Sequence, residues 1–324
     1  MAIEARRLTK TYGSLVAVDD LDLSVVPGEI FGFLGPNGAG KSTTIKMLCT
    51  LATPSGGTAR VAGYDTVAEP LEVRRRIGLV FQDPTVDAYL TADQNLQFHA
   101  ELYGLDRSAA AQRIDEVLDM VQLADRRSSK VETFSGGMRR RLEIARGLVH
   151  SPAILFLDEP TVGLDPQTRS RIWEYINELR VQTGITIFLT THYMDEAEHC
   201  DRIAIIDHGS VVTVDTPAAL KAQVGTDTIR LTTLDDAAVM PILRDRFNLD
   251  PIRRDGQIIC RAANGHELVP QLCSDLGVAV ASVDVSRPTL DDVFMAHTGR
   301  TIRDAEADAL EHSRAVVAAL RRRS

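Results

Sequence analysis

The sequence predicts an α/β protein built on a mostly parallel, helix-covered sheet, with a helical insertion and a smaller α+β domain following it. Three observations carry this. Short apolar strands alternate with helical patterns through the first two thirds of the chain, the stretch 83–150 is almost wholly helical, and a new strand and helix rhythm begins after Thr216-Pro217. At 324 residues the chain is long enough for more than one core. The expected domains are 1–219, with the helical subdomain at about 84–150, then a small α+β domain at 220–299 and a helical tail at 300–324.

Each element follows from local pattern. Residues 2–8 and 15–26 read as strands, the second closed by the Pro27-Gly28 turn. Ile30-Phe31-Gly32-Phe33-Leu34 is a buried strand by length and composition, and it leads into a glycine-rich loop and a helix starting near Lys41. Segments 73–82, 153–158, 186–190 and 202–207 read as further short apolar strands. Within the helical stretch, 92–102 and 108–123 carry apolar residues at helical spacing. Beyond 217 the order is strand 228–233, helix 236–247, a strand near Ile252, strand 257–261, helix 266–276 and strand 278–285, which is a split βαβ arrangement. From Thr301 an Ala-rich amphipathic helix is expected, closing on Arg321-Arg322-Arg323.

Composition narrows the class. Hydrophobic residues at 44% and charged residues at 25% are those of a globular protein and exclude a disordered chain. A net charge of -9 argues against a protein whose main work is neutralising nucleic-acid phosphates, so no nucleic-acid partner is expected. The four cysteines, Cys49, Cys200, Cys260 and Cys273, form no C-x-x-C pair and indicate neither a disulfide framework nor a zinc site. The start lacks a signal-peptide apolar region, and no run approaches the ~18 apolar residues of a membrane span.

The chemistry lies in two motifs. Gly35-Pro36-Asn37-Gly38-Ala39-Gly40-Lys41-Ser42-Thr43 fits G-x-x-x-x-G-K-[ST] in the context that gives that pattern meaning, after a buried strand and before a helix. Its glycines let backbone N–H groups converge on phosphate oxygens, Lys41 neutralises the outer phosphates, and the Ser42 hydroxyl suits Mg²⁺. The strand 153–157 then delivers Asp158 and Glu159 at its end, where ligands of parallel sheets gather. Asp158 suits a water-bridged Mg²⁺, and Glu159 suits a general base polarising the water that attacks a γ-phosphate.

Phe134-Ser135-Gly136-Gly137-Met138, followed by Arg139-Arg140-Arg141-Leu142, makes the chain resemble the ATP-binding cassette family. The family signature reads Leu-Ser-Gly-Gly-Gln; here Phe134 and Met138 take its outer positions, and the small donor-rich centre is kept. The arginine run is expected to be a solvated helix face. The resemblance spans about residues 2–218 and implies a P-loop NTPase fold, with a RecA-like mixed sheet, an antiparallel β subdomain and an inserted helical subdomain. It implies ATP and Mg²⁺ as ligands, and roles for further residues. Tyr12 matches the aromatic that stacks on adenine, Gln82 the glutamine that touches Mg²⁺, Asp165 the loop crossing to a second cassette, and His192 the histidine at the γ-phosphate. Ser42, Gln82 and Asp158 are thereby the implied metal ligands, and Lys41, Glu159 and His192 the catalytic set. By the same resemblance each ATP is sandwiched between the phosphate loop of one copy and Ser135, Gly136 and Gly137 of a second, in a head-to-tail pair.

The ending Arg287-Pro288-Thr289-Leu290-Asp291-Asp292-Val293-Phe294 resembles the C-terminal domain of the daunorubicin-resistance-type branch of bacterial exporters. That branch implies an ATPase peripheral to the cytoplasmic face of the plasma membrane, a separately encoded ABC-2-type membrane subunit, and export of a drug, antibiotic or lipid-like substrate. A rival from another class is a soluble ABC ATPase of DNA repair or translation. Such proteins usually carry two cassettes, coiled-coil insertions or zinc insertions, and the sequence has none of these.

Overall fold

A computed structural model describes residues 1–225, 227–254 and 256–299. The tail helix expected from Thr301 lies outside the described residues. The chain divides into two compact units, one of them Met1–Thr216 and the second beginning at Pro217.

The first unit opens with β1 (Ile3–Tyr12), β2 (Leu15–Val25), β3 (Ile30–Leu34), α1 (Lys41–Leu48), β4 (Gly56–Val61), β5 (Tyr64–Asp65), α2 (Pro70–Arg74) and β6 (Ile77–Val80). The helices α3 (Ala92–Leu102), α4 (Arg107–Met120) and α5 (Gly136–Leu148) follow. Then come β7 (Ile154–Asp158), α6 (Pro166–Thr183), β8 (Thr186–Thr191), α7 (Met194–Ala197), β9 (Arg202–Asp207) and β10 (Ser210–Asp215).

The central sheet has the order β10-β9-β3-β8-β7-β6, all parallel except β10 at one edge. An antiparallel sheet β2-β1-β4-β5 accompanies it. This is the mixed-sheet cassette that the motifs imply. β3, β7 and β8 are buried along their whole length, as strands covered on both faces must be. Phe188 on β8 meets Phe31, Phe33 and Phe156 at ring-centroid separations of 5.5 to 5.7 Å, so three adjacent strands share one aromatic anchor. Each such fully buried ring contributes roughly 1.5–3 kcal/mol. Register then decides the geometry of the site. Leu34 pairs with Thr191 and Asp158 with Thr190, so three motifs leave the sheet at one edge.

Side-chain caps fix the helix starts. Thr91 and Gln94 form a capping box on α3, Asp106 caps α4, Ser135 caps α5, and Asp165 caps α6 ahead of Pro166. Segment 73–82 differs from its sequence reading, because Pro70 pre-sets the first turn of α2 and the strand begins only at Ile77. An Arg76 to Glu72 ion pair of 2.6 Å ties that helix end. β4, β5 and β10 were not evident in the apolar pattern. Glycines 56 and 57 open the first of these, and Gly63 lies in the turn between the first two.

The second unit runs α8 (Pro217–Val224), β11 (Asp227–Thr233), α9 (Asp236–Asp245), β12 (Ile252–Arg254), β13 (Gln257–Ala262), α10 (Gly265–Asp275), β14 (Val280–Ser286) and α11 (Leu290–Thr298). Its sheet, ordered β12-β13-β11-β14, is antiparallel throughout. This realises the expected strand and helix order. Ile229, Leu231, Val239, Leu243, Ile258 and Leu272 form its core. The ending motif forms α11, opened by a Thr289 and Asp292 capping box and closed by Gly299 at φ 77°.

Candidate functional site

The glycine-rich loop 35–40 joins β3 to α1 and leaves no room for side chains where it crosses its neighbours. A Cβ on Gly35 would stand 2.4 Å from the Ile206 carbonyl oxygen, and one on Gly40 would stand 2.5 Å from that of Ala17. Gly40 also holds φ 105°, a conformation that favours glycine. α1 has no side-chain cap and no acidic residue in its first turn, which leaves its leading amides and dipole for an anion. The buried Lys41 folds back over the loop, its Nζ donating to the carbonyls of Gly35 (2.7 Å) and Pro36 (3.1 Å). Ser42 Oγ lies 3.3 Å from Asp158 Oδ1.

The acid pair is set by β8. Thr190 Oγ1 donates to Asp158 Oδ1 at 2.6 Å and accepts from the Glu159 N–H at 3.0 Å. Glu159 has φ 46°, a left-handed backbone that a non-glycine residue adopts at a cost. It turns away from the strand into contact with a lysine and a histidine: its Oε1 is 3.3 Å from Lys41 Nζ and 3.4 Å from His192 Nδ1. Burial pushes the Glu159 carboxyl up, but the His192 contact and the Lys41 charge outweigh it and hold the group below its ordinary value. Glu159 is therefore a buried carboxylate that stays ionised. Behind it, Thr161 donates to the buried Glu196, whose carboxyl burial pushes upward.

A cavity of about 600 Å³ connects these groups, with Tyr12, Gly38, Lys41, Ser42, Gln82 and Glu159 among its lining residues. The Tyr12 ring is half exposed, with Lys10 Nζ 5.0 Å from its centroid. Ser135 and Gly137 line a different cavity, of about 290 Å³, with Met138 and Thr168. There the Met138 N–H donates to Ser135 Oγ at 3.3 Å. Asp165 accepts from both the backbone and the hydroxyl of Thr168, and a Cβ on Gly137 would stand 2.6 Å from Thr168 Cγ2. The sequence-picked residues thus form two groups, one around the glycine-rich loop and one around the start of α5 and α6.

Four participants escaped sequence reading. His208 and Gly209, the turn between β9 and β10, also line the larger cavity. Thr190 is a polar residue inside an apolar strand, which is the signal that could have found it. Arg140 overturns the expectation of a solvated arginine run: it is only 8% exposed. Its donors bond the carbonyls of Phe81 (2.6 Å), Asp158 (3.2 Å) and Pro160 (2.6 Å).

Comparison with known proteins shows the family of the chain. The ABC transporter family pattern matches residues 18–162. The daunorubicin/doxorubicin resistance ATP-binding protein DrrA of Streptomyces peucetius is 43% identical over 317 residues, covering 95% of each chain. The linearmycin resistance ATP-binding protein LnrL of Bacillus subtilis is 39% identical and is matched over 100% of its length and 93% of this chain. Among solved structures, cbiO1 of Clostridium perfringens, part of the ABC transporter complex cbiONQ, superposes with a TM-score of 0.65 at 26% identity, over 76% of this chain and 96% of its own. The ATP-binding cassette MJ0796, solved as a dimer in a post-hydrolysis state bound to ADP and Pi, superposes at 0.60 with 29% identity, over 66% of this chain and 98% of its own. The chain is an ATPase of the ABC transporter family, akin to the ATP-binding proteins of the daunorubicin-resistance branch.

Proposed function

We propose that two copies of this chain close head to tail around two ATP molecules and drive a separately encoded ABC-2-type membrane subunit that exports a drug, antibiotic or lipid-like compound. One observation carries the dimer. The cavity around Lys41 and Glu159 and the cavity at Ser135 and Gly137 share no lining residue, which supports a cap supplied by a second copy. Adenine stacks on Tyr12, and the phosphates lie on the amides of 35–43 with Lys41 neutralising their outer charge.

The donor set fits Mg²⁺. Ser42 Oγ and the Asp158 carboxylate are hard oxygen donors side by side, Gln82 lines the same cavity, and a cation held through few protein ligands plus phosphate is the usual Mg²⁺ arrangement. When bound, Mg²⁺ supplies charge neutralisation at the outer phosphates. Glu159 polarises the attacking water, and His192, 3.4 Å from it, holds the carboxylate and reads the γ-phosphate. Loss of that phosphate releases the contact between copies, and the opening works the membrane partner from its cytoplasmic side. No helix among the described residues is long and apolar enough to cross a membrane, so the proposed path for substrate belongs to the partner.

The resistance-protein names of the two relatives support a drug-like or antibiotic substrate. Glu159→Gln tests the assignment, because it preserves shape and removes the base: ATP affinity stays within about threefold while kcat falls by at least about a hundredfold. A variant turning over at the wild-type rate refutes it.

A further inference from the structure

The start of α5 carries two buried charges that the reading above does not use. Arg140 lies five positions after the cap residue Ser135, and Glu143, 1% exposed, lies one turn further on. The Arg140 guanidinium gives one hydrogen bond to each of three carbonyls. One precedes Gln82, at Phe81, and the other two flank Glu159, at Asp158 and Pro160. Glu143 Oε1 accepts from the N–H groups of Thr85 (2.5 Å) and Val86 (3.1 Å), on the far side of Gln82. Its other oxygen is 3.6 Å from Arg140 Nη1. The pair therefore grips the Gln82 segment from both sides and the Glu159 peptide from both sides, while the same helix is capped by Ser135 a turn and a half earlier.

Burying a guanidinium and a carboxylate is expensive, and well-packed apolar residues at the two positions would serve stability as well or better. What apolar residues cannot do is hold three carbonyls at once, a task suited to the rigid fork of arginine and unsuited to the single nitrogen of lysine. We propose that Arg140 and Glu143 are positioning residues that lock Gln82 and Glu159 of one site to Ser135, the cap offered to the other site, so that the two nucleotide sites act in concert. This rests on the two-copy reading above. Neither residue touches the cavity that holds nucleotide, so their effect is on placement of the groups that do.

The test uses the full chain, wild type and the variants Arg140→Lys and Glu143→Gln. ATP binding is measured by equilibrium titration, turnover as a function of ATP concentration, and folding by the fluorescence of the single tryptophan, Trp173. Lysine keeps the charge but not the three bonds. Glutamine keeps one acceptor for Thr85 and Val86 but loses the charge and turns its amide NH2 towards Arg140. Expected for both are folded proteins with ATP affinity within about threefold of wild type, kcat lowered by roughly tenfold or more, and a Hill coefficient reduced towards one. Arg140→Lys with wild-type kcat and Hill coefficient overturns the proposal, as does a wild-type Hill coefficient of one. Parallel loss of affinity, turnover and folding in both variants also overturns it, since that is plain structural damage. A wild-type protein without ATPase activity, by contrast, defeats the functional reading itself, so the two failures are distinct.

Discussion

Thr190→Val tests the geometry at its most exposed assumption, that a single hydroxyl sets both acids. Thr190 is fully buried on β8; its Oγ1 donates to the Asp158 carboxylate at 2.6 Å and accepts the Glu159 N–H at 3.0 Å. Valine keeps the branched outline and suits a strand, so backbone propensity is unchanged. Two terms are lost. A hydrogen bond to a charged group is worth about 1.5–3 kcal/mol, and a buried N–H left without a partner costs about 1–3 kcal/mol. The added methyl returns about 0.8 kcal/mol of burial. The net expectation is a destabilisation of about 3 kcal/mol, read by urea unfolding followed at Trp173, which reports on the first unit alone. Glu159 loses the anchor of its strained peptide, so kcat falls by at least about tenfold as well. Thr190→Ser keeps the hydroxyl and should recover most of both. A valine variant within about 1 kcal/mol of wild type and with unaltered kcat refutes the reasoning.

Two further predictions follow from buried groups. Because the folded protein holds Glu159 below its ordinary value of 4.5, the unfolded chain takes up the proton first as pH falls. The stability difference between wild type and Glu159→Gln should therefore be constant from neutral pH to about pH 5, then shrink as pH drops through the folded-state value; a difference that instead grows in acid contradicts the sign. Burial pushes the thiols of Cys49 and Cys200 well up and that of Cys260 to about 11, whereas Cys273 is exposed. An alkylating reagent at neutral pH should modify Cys273 alone in the native protein, checked by peptide mass spectrometry, and labelling at Cys49 would contradict the packing beneath α1.

The phosphate loop, the acid pair and the order of the second unit were legible because each rests on local pattern: a glycine-rich turn between an apolar strand and a helix, a strand ending in two carboxylates, alternating short elements. What stayed hidden depends on residues far apart in the chain. Thr190 stands 31 positions from Glu159, and only the parallel pairing of β7 with β8 brings them together. Arg140 looks like one of three surface arginines until α5 packs against the ends of β6 and β7, where three carbonyls converge on it. The strand expected over 73–82 failed for a local reason, since Pro70 starts a helix whose Glu72 pairs with Arg75 and Arg76 just past its end. Of the glycines that obscured β4 in the pattern, Gly57 is there for close approach: a Cβ on it would stand 2.0 Å from the Arg7 carbonyl oxygen.

The central claim is that ATP is held between the phosphate loop of one copy and Ser135 of another. Light scattering on the Glu159→Gln protein, expected to hold ATP without turning it over, measures this most directly, with MgATP, with MgADP, and with Ser135→Arg added. The account predicts a dimer with MgATP only, and a monomer that still binds ATP once Ser135 is replaced. A Glu159→Gln protein that stays monomeric in saturating MgATP, or a Ser135→Arg double variant that dimerises equally well, would contradict it.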